Sequence, residues 1–215
     1  MKIALLTPSG GRPRQLELCR RMIAAQDMVE STTHYASINE TLTLAQNLYL
    51  LLDTAERAKP DAYLVVEDDD FYPSGYVGLM AARFAMGYDI VGSERTRYYH
   101  VPTRGFRTHA HPGRSSLCAT GFSASAMPKV RAVIEASLGE RFLDIAVWNE
   151  AASGALGWAC LIDDSTMVGI KGLPGRAGIG VGHDPRHYAD HDADGSVLLE
   201  WVGPEFAATY LEWEP

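Results

Sequence analysis

The stretch Ala62-Tyr63-Leu64-Val65-Val66 is apolar at every position and ends abruptly in four consecutive carboxylates, Glu67, Asp68, Asp69 and Asp70. Five such residues, rich in β-branched and aromatic side chains, predict a strand over 62–66. Side chains of a strand point alternately to its two faces, so a strand apolar throughout must be covered on both sides. The chain must therefore supply a sheet with helices on each face, and the acids must lie just beyond the end of a buried strand.

The preceding segments provide that frame. Lys2 to Leu6 is a short apolar run entering Thr7-Pro8-Ser9-Gly10-Gly11-Arg12-Pro13, which reads as strand and then loop. Leu16, Cys19, Met22 and Ile23 recur at helical spacing behind Pro13, a residue suited to a first helical turn. Thr32 to Ile38 reads as a second strand. Leu42, Ala45, Leu48, Leu52 and Ala55 mark a second helix that stops before Lys59-Pro60. Strand, helix, strand, helix, strand predicts a single α/β domain with a mostly parallel central sheet flanked by helices. No internal repeat or linker interrupts 1–215.

Composition narrows the class. With 215 residues and 47% apolar content, the chain can bury a sizeable core. No run approaches the ~20 apolar residues of a membrane span, and Met1 to Leu6 is too short for a signal peptide. Cys19, Cys118 and Cys160 are widely spaced and odd in number, which suits reduced thiols in a cytoplasmic protein. A net charge of -8 argues against a general polyanion binder.

In open α/β sheets ligands bind beyond the carboxyl ends of the strands, where both Thr7 to Arg12 and the acidic run fall. Four adjacent carboxylates repel one another and are best tolerated beside a cation or a set of donors. A solvated acidic turn is the plain alternative. If the segment stays extended, Glu67 and Asp69 share one side and Asp68 and Asp70 the other, giving two Asp-x-Asp-like registers. Either offers hard oxygen ligands for Mg²⁺ or Mn²⁺.

Three motifs in order carry a family resemblance. Thr7-Pro8-x-x-x-Arg12-Pro13 follows the first strand, Asn39 with Ala45-Gln46-Asn47 enters the second helix, and Glu67-Asp68-Asp69-Asp70 follows the third strand. Together they resemble the GT-A fold of nucleotide-sugar glycosyltransferases, a Rossmann-like α/β domain, over about half the chain. The Glu67-Asp68-Asp69 form is similar to the acidic motif of eukaryotic N-acetylglucosaminyltransferases. There the last acid grips the metal and the earlier ones face the nucleotide ribose, which implies Asp69 as primary ligand with Glu67 and Asp68 toward the nucleotide. The commoner Asp-x-Asp register chooses Asp70, and both stay open. The resemblance further implies that Thr7, Pro8 and Arg12 pack on base and ribose, with Asn47 near the nucleotide.

The same resemblance implies one more metal ligand late in the chain, and His183 is the candidate. It closes a stretch from Val168 that carries six glycines, which let a backbone approach phosphate closely. Lys171 and Arg176 could then neutralise a diphosphate. A plain loop with a surface histidine is the alternative. The stretch does not match a dinucleotide fingerprint, because Gly178-x-Gly180-x-Gly182 leads into Asp184-Pro185 rather than a helix. His183, His187 and His191 are spaced by four, but Pro185 argues against one zinc-binding helix. Asp190-x-Asp192-x-Asp194-Gly195 begins like a calcium loop, yet its twelfth position is Trp201, and an ordinary acidic turn is the better reading.

Transfer of a sugar from a nucleotide diphosphate leaves charge on the departing group, which a divalent cation stabilises, while the acceptor hydroxyl needs a base. In inverting members of the family that base is a carboxylate before a helix in the second half. Asp144 in Phe142-Leu143-Asp144-Ile145 is the match, with a helix N-cap as its alternative role and Asp163 or Asp164 as substitutes.

The acceptor reading rests on charge asymmetry. Between Ser93 and Ser116, five arginines face one acid, a formal +4 against -12 for the remainder of a chain totalling -8. Arg95, Arg97, Arg104 and Arg107 with interleaved Tyr98, Tyr99 and Phe106 suit phosphate contacts and base stacking. A solvated loop or a second diphosphate clamp would carry the same charges. The opening Lys2-Ile3-Ala4-Leu5-Leu6-Thr7-Pro8-Ser9-Gly10-Gly11-Arg12-Pro13, with the block from Gly169 to His183, resembles TET-associated glycosyltransferases of bacteriophages. That resemblance implies sugar transfer onto hydroxymethylcytosine in DNA, in the host cytoplasm for a phage-encoded enzyme. A glycan, protein or small-molecule acceptor, or an inactive nucleotide-binding module, are the competing expectations. No protein partner is inferable.

Overall fold

The first half of the chain folds as its periodicity requires. In the computed structural model, which describes residues 1–140, 142–175 and 180–213, β1 (Ile3–Ser9), α1 (Pro13–Ala24), β2 (Thr32–Ile38), α2 (Leu44–Ala55) and β3 (Ala62–Val65) follow one another. β1 pairs in parallel with β2 on one side and β3 on the other. Pro13 occupies the first turn of α1, where a missing N–H costs nothing. α2 starts on a capping box: the Thr43 hydroxyl accepts from the Gln46 N–H, and the Gln46 side chain accepts from the Thr43 N–H.

The second half departs from a purely parallel sheet. α3 (Tyr76–Ala85) leads to β4 (Ile90–His100), β5 (Gly105–Ala110) and the three-residue β6 (Gly121–Ser123). α4 (Met127–Ala136), α5 (Leu143–Ala152), β7 (Ala159–Lys171), β8 (Asp190–His191) and α6 (Ser196–Leu211) complete the chain. β6 inserts antiparallel between β3 and β4, and β5 runs antiparallel to β4, while β7 pairs in parallel with β4. The sheet is therefore mixed, with the expected parallel block at the β2-β1-β3 end.

Burial on both faces of β3 is as the uninterrupted apolar run demands. Ala62 and Leu64 join Ile3 and Leu5 under α1, α3 and α6. Tyr63 and Val65 join Ala4 and Leu6 under α2, α4 and α5. Leu64 is fully buried, so its truncation to Ala should cost ~2–5 kcal/mol.

Two features shape the functional end. β4 and β7 extend well past the carboxyl end of β3, and Phe71 forms an isolated bridge with Val168. The chain leaving β3 is thereby drawn onto the outer part of β7. The would-be calcium loop has another role: the Asp192 carboxylate accepts from the Val197 and Leu198 N–H groups and from the Tyr99 hydroxyl, capping α6. His183, His187 and His191 lie in separate short elements and share no helix. Among the described residues, no helix is long and apolar enough to cross a membrane.

Candidate active site

The acidic run does not stay extended. Residues 68–70 bend, so the expected alternation of Glu67 and Asp69 against Asp68 and Asp70 is replaced by two different pairs. Asp68 and Asp69 turn together toward Arg12, whose Nη1 donates to Asp69 Oδ2 at 2.7 Å and whose Nη2 donates to Asp68 Oδ1. Ser9, at the end of β1, donates its hydroxyl to Asp68 Oδ2 at 2.6 Å. Asp70 turns to β7, where its Oδ1 accepts from the Ile170 N–H at 3.0 Å and from Lys171 Nζ at 2.8 Å. Glu67 and Asp70 also approach Cys118, with ligand atoms of all three within 4.8 Å of one another.

Burial sets the charge states. Asp68, Asp69 and Asp70 are 4% exposed or less, and Lys171 is 6% exposed. Desolvation alone would raise every carboxyl. It does so for Glu67, pushed up to about 8 with help from Asp70, although this side chain keeps a partly exposed edge. Asp68 and Asp70 are likewise raised, burial first, each with further repulsion from Asp69. Asp69 goes the other way. Burial opposes its ionisation, but Lys171, Arg12 and the Arg12 hydrogen bond together hold it below its ordinary value. Burial would also discharge Arg12 and Lys171, and the facing acids keep both charged. Asp69 is thus the carboxylate best held as an anion.

The residues fit a divalent cation. Asp69 Oδ1 and Asp70 Oδ2 are buried and have no hydrogen-bond partner among the described residues, and unpartnered buried carboxylate oxygens are the donors that Mg²⁺ or Mn²⁺ takes. Cys118 fits less well: burial, then Glu67 and Asp70, push its thiol far up, and a protonated sulfur is a poor ligand for a hard ion. His183 is brought to this centre, since its imidazole interacts electrostatically with Lys171, Asp69 and Arg12. Burial first, then Lys171, lower it to about 4 and leave it neutral, the form that ligates metal. It is not part of the Glu67–Asp70–Cys118 set.

Arg12, which holds Asp68 and Asp69, also lines a cavity of about 560 Å³ between the end of β1 and the start of α1, together with Gly10, Gly11, Glu40, Gly175 and Trp213 among others. That is within the ~300–1,000 Å³ of small-molecule sites. Gly11 has φ +82 and its Cα faces the Glu40 side chain closely enough that a Cβ would collide with it, so glycine is required there. Arg14 stacks its guanidinium 4.7 Å from the Trp213 ring centroid. Arg12 Nε and Trp213 Nε1 are both buried without a hydrogen-bond partner among the described residues. Gln15 Nε2 donates to the Pro174 carbonyl at 2.6 Å, tying α1 to the segment after β7.

Other expected nucleotide contacts sit elsewhere than a loop surface. Thr7 and Pro8 are inside β1 and buried, and the Thr7 hydroxyl meets His34 Nε2 at 2.9 Å. Asn47 is buried and holds the loop after β2, accepting from the Ser37 hydroxyl and donating to the Asn39 carbonyl. Lys171 is a buried ion-pair partner of Asp70, not an exposed diphosphate clamp. Arg176 lies outside the described residues.

Asp144 occupies the first turn of α5, behind an N-cap at Phe142. It is no N-cap itself. Its Oδ2 accepts from Arg114 Nη1 at 2.5 Å, and burial raises its carboxyl although Arg114 pulls the other way. One turn further, Trp148 donates to the Thr120 hydroxyl, and the Thr120 carbonyl accepts from the Val65 N–H at the end of β3. Asp144 is therefore built into the same end of the sheet as the acids.

No known protein family profile matches the chain, and no curated protein matches it. Solved structures do. A197 from STIV superposes with a TM-score of 0.52 at 15% identity, covering 78% of this chain and 83% of that one. S. aureus TarS 1–349 in complex with UDP-GlcNAc gives a TM-score of 0.56 at 11% identity over 98% of this chain. A second TarS 1–349 structure gives 0.55 at 11% identity over 79% of this chain. The present chain spans 66% and 60% of those two TarS structures. The fold is GT-A-like.

In this GT-A-like domain the four arginines expected to meet an acceptor do not form one face. Arg95 is exposed and paired with Asp163 at 2.8 Å. Arg97 stacks over Trp201 of α6, on the far side of β4. Arg104 takes a left-handed backbone conformation at φ 51 and donates to the Ala193 carbonyl. Arg107, opposite Tyr98 across the β4–β5 ladder, lies between the Tyr98 and Tyr188 rings. The split follows from strand alternation, which places 95 and 97 on one face and the partner of 98 on the other. Sequence reasoning missed Ser9, Cys118 and Trp213. Ser9 was visible within the Thr7–Pro13 segment, whereas Cys118 and Trp213 reach the site only through tertiary packing.

Proposed function

We propose that this chain is a metal-dependent glycosyltransferase that moves a sugar from a nucleotide-diphosphate donor to a hydroxyl acceptor, with hydroxymethylcytosine in DNA as the acceptor to test first. One observation carries the reading. Two buried carboxylate oxygens, on Asp69 and Asp70, have no partner among the described residues, and Arg12, which donates to Asp69, also lines a cavity of about 560 Å³ after β1. TarS, on a similar fold, was crystallised with UDP-GlcNAc, so a uridine nucleotide sugar is the first donor to try.

In this reading Asp69, Asp70 and His183 would hold Mn²⁺ or Mg²⁺, which when bound supplies Lewis-acid stabilisation of the leaving diphosphate. Arg12 holds Asp69 ionised and lines the cavity, while Arg14 and Trp213 wall the base. The acceptor oxygen attacks the anomeric carbon, the bond from that carbon to the diphosphate oxygen breaks, and its electron pair leaves with the nucleotide. In an inverting reaction the Asp144 carboxylate takes the hydroxyl proton. Arg114 keeps that carboxylate oriented. The free thiols Cys19, Cys118 and Cys160 suit a reducing compartment such as the cytoplasm.

The test is to incubate the protein with Mn²⁺, a panel of nucleotide sugars and either plain or hydroxymethylated DNA, and to read free nucleotide and nucleoside masses. A sugar mass on hydroxymethylcytosine alone is the expected result. Nucleotide release with no sugar mass on either DNA would remove the DNA acceptor. No turnover with any donor would overturn the assignment.

A further inference from the structure

One face of the β4–β5 ribbon carries a set of donors that the sugar-transfer reading does not use. Arg107, His109 and His111 alternate along β5 and just beyond it, where the His111 N–H still bonds the Glu94 carbonyl at 2.7 Å, so their side chains share one face. The two imidazoles meet edge to face with centroids 4.6 Å apart, and each lies 6.4 Å from the Tyr98 ring. Arg114, the partner of Asp144, is close enough to act on both imidazoles electrostatically.

The hydrogen-bonding account of this cluster does not close. Arg107 uses Nη1 on the His187 carbonyl, but its Nε and Nη2 are buried with no partner among the described residues. These two N–H groups form the side-on fork of the guanidinium, whose spacing matches two oxygens of a tetrahedral or planar oxyanion. His111 is 6% exposed, and neither ring nitrogen has a partner among the described residues. Buried donors in a folded protein are nearly always satisfied, so a fork and an imidazole without partners along one face of the ribbon point to a missing ligand. The Tyr98 and Tyr188 rings on either side of Arg107 hold the fork in place.

We infer that Arg107, His109 and His111, with Arg114 beside Asp144, form an oxyanion subsite on the acceptor side that takes a phosphate group of the acceptor. This rests on the acceptor half of the proposed transfer. The same chemistry could come from the donor's diphosphate, and the experiment separates the two.

The test titrates inorganic phosphate calorimetrically into the full chain, alone and saturated with UDP and Mg²⁺. The variants are Arg107→Lys, which keeps the charge and loses the fork, and His111→Gln, with circular dichroism confirming the fold of both. Phosphate should bind with UDP already in place, weaken by about tenfold in R107K, as expected for one lost charge-assisted hydrogen bond, and weaken by roughly threefold in H111Q. Phosphate displaced by UDP would assign these donors to the diphosphate and overturn the inference. Equal phosphate affinity in wild type and R107K would overturn it as well. If UDP fails to bind while phosphate still binds and depends on Arg107, the subsite stands and the donor reading falls.

Discussion

Lys171 Nζ lies 2.8 Å from Asp70 Oδ1, and both side chains are shut off from water. The pair joins the end of the acidic run to β7. Removing one partner of a buried ion pair leaves an uncompensated charge and costs ~3–5 kcal/mol, whereas replacing both is far cheaper. Lys171→Met and Asp70→Asn should each lower the unfolding free energy by about that much, and the double variant should recover most of it. Urea denaturation measures this. Single-variant losses below ~1 kcal/mol would mean the pair is solvated like a surface bridge.

Asp144 should set the acid limb of activity. Burial raises its carboxyl and Arg114 opposes the rise, so the base form is lost as pH falls through a value above the ordinary carboxylate range of ~4. Arg114→Met removes the opposing charge and should move that limb to still higher pH. Asp144→Asn should lower kcat by ~10²–10⁴. An acid limb that persists unchanged in D144N would place the base elsewhere.

Stability should fall on mild acidification through His34. Burial, then Arg20, lower its imidazole from 6.5 to about 4, and its Nε2 meets the Thr7 hydroxyl inside the core of β1. The unfolded chain therefore takes up the proton first, and the contribution present above pH 6.5 is lost as pH drops toward 4. The slope from one such group is at most ~1.4 kcal/mol per pH unit. Melting curves of wild type and His34→Gln from pH 7 to 4 should converge as the pH falls. A constant gap would show that His34 does not titrate in this window.

Much of the frame was legible because local rules and tertiary packing agree there. Pro13, the Thr43 cap and the unbroken apolar run at 62–66 each impose one local geometry, and β1 through β3 follow. The acidic run was legible as a site but not in its geometry. The alternation argument needs an extended chain, and the bridge from Phe71 to Val168 bends it instead. Lys171 looks like a loop cation in sequence and is buried because Asp70 is there to receive it. The arginines of residues 93–116 form one charge cluster along the chain, yet a β-ribbon distributes them over two faces. Trp213 reaches the cavity from just beyond the last helix, a contact no local pattern announces.

The central claim is that a nucleoside diphosphate binds beside Asp69 through a divalent cation, and calorimetric titration of UDP with Mn²⁺ or with EDTA tests it most directly. Wild type should bind UDP with Mn²⁺ and lose about tenfold or more in affinity with EDTA, a change of at least ~1.4 kcal/mol. Asp69→Asn keeps the side chain's size, removes the anion that Arg12 and Lys171 hold, and should bind UDP equally weakly under both conditions. The same UDP affinity with Mn²⁺ and with EDTA in the wild-type protein would contradict the account.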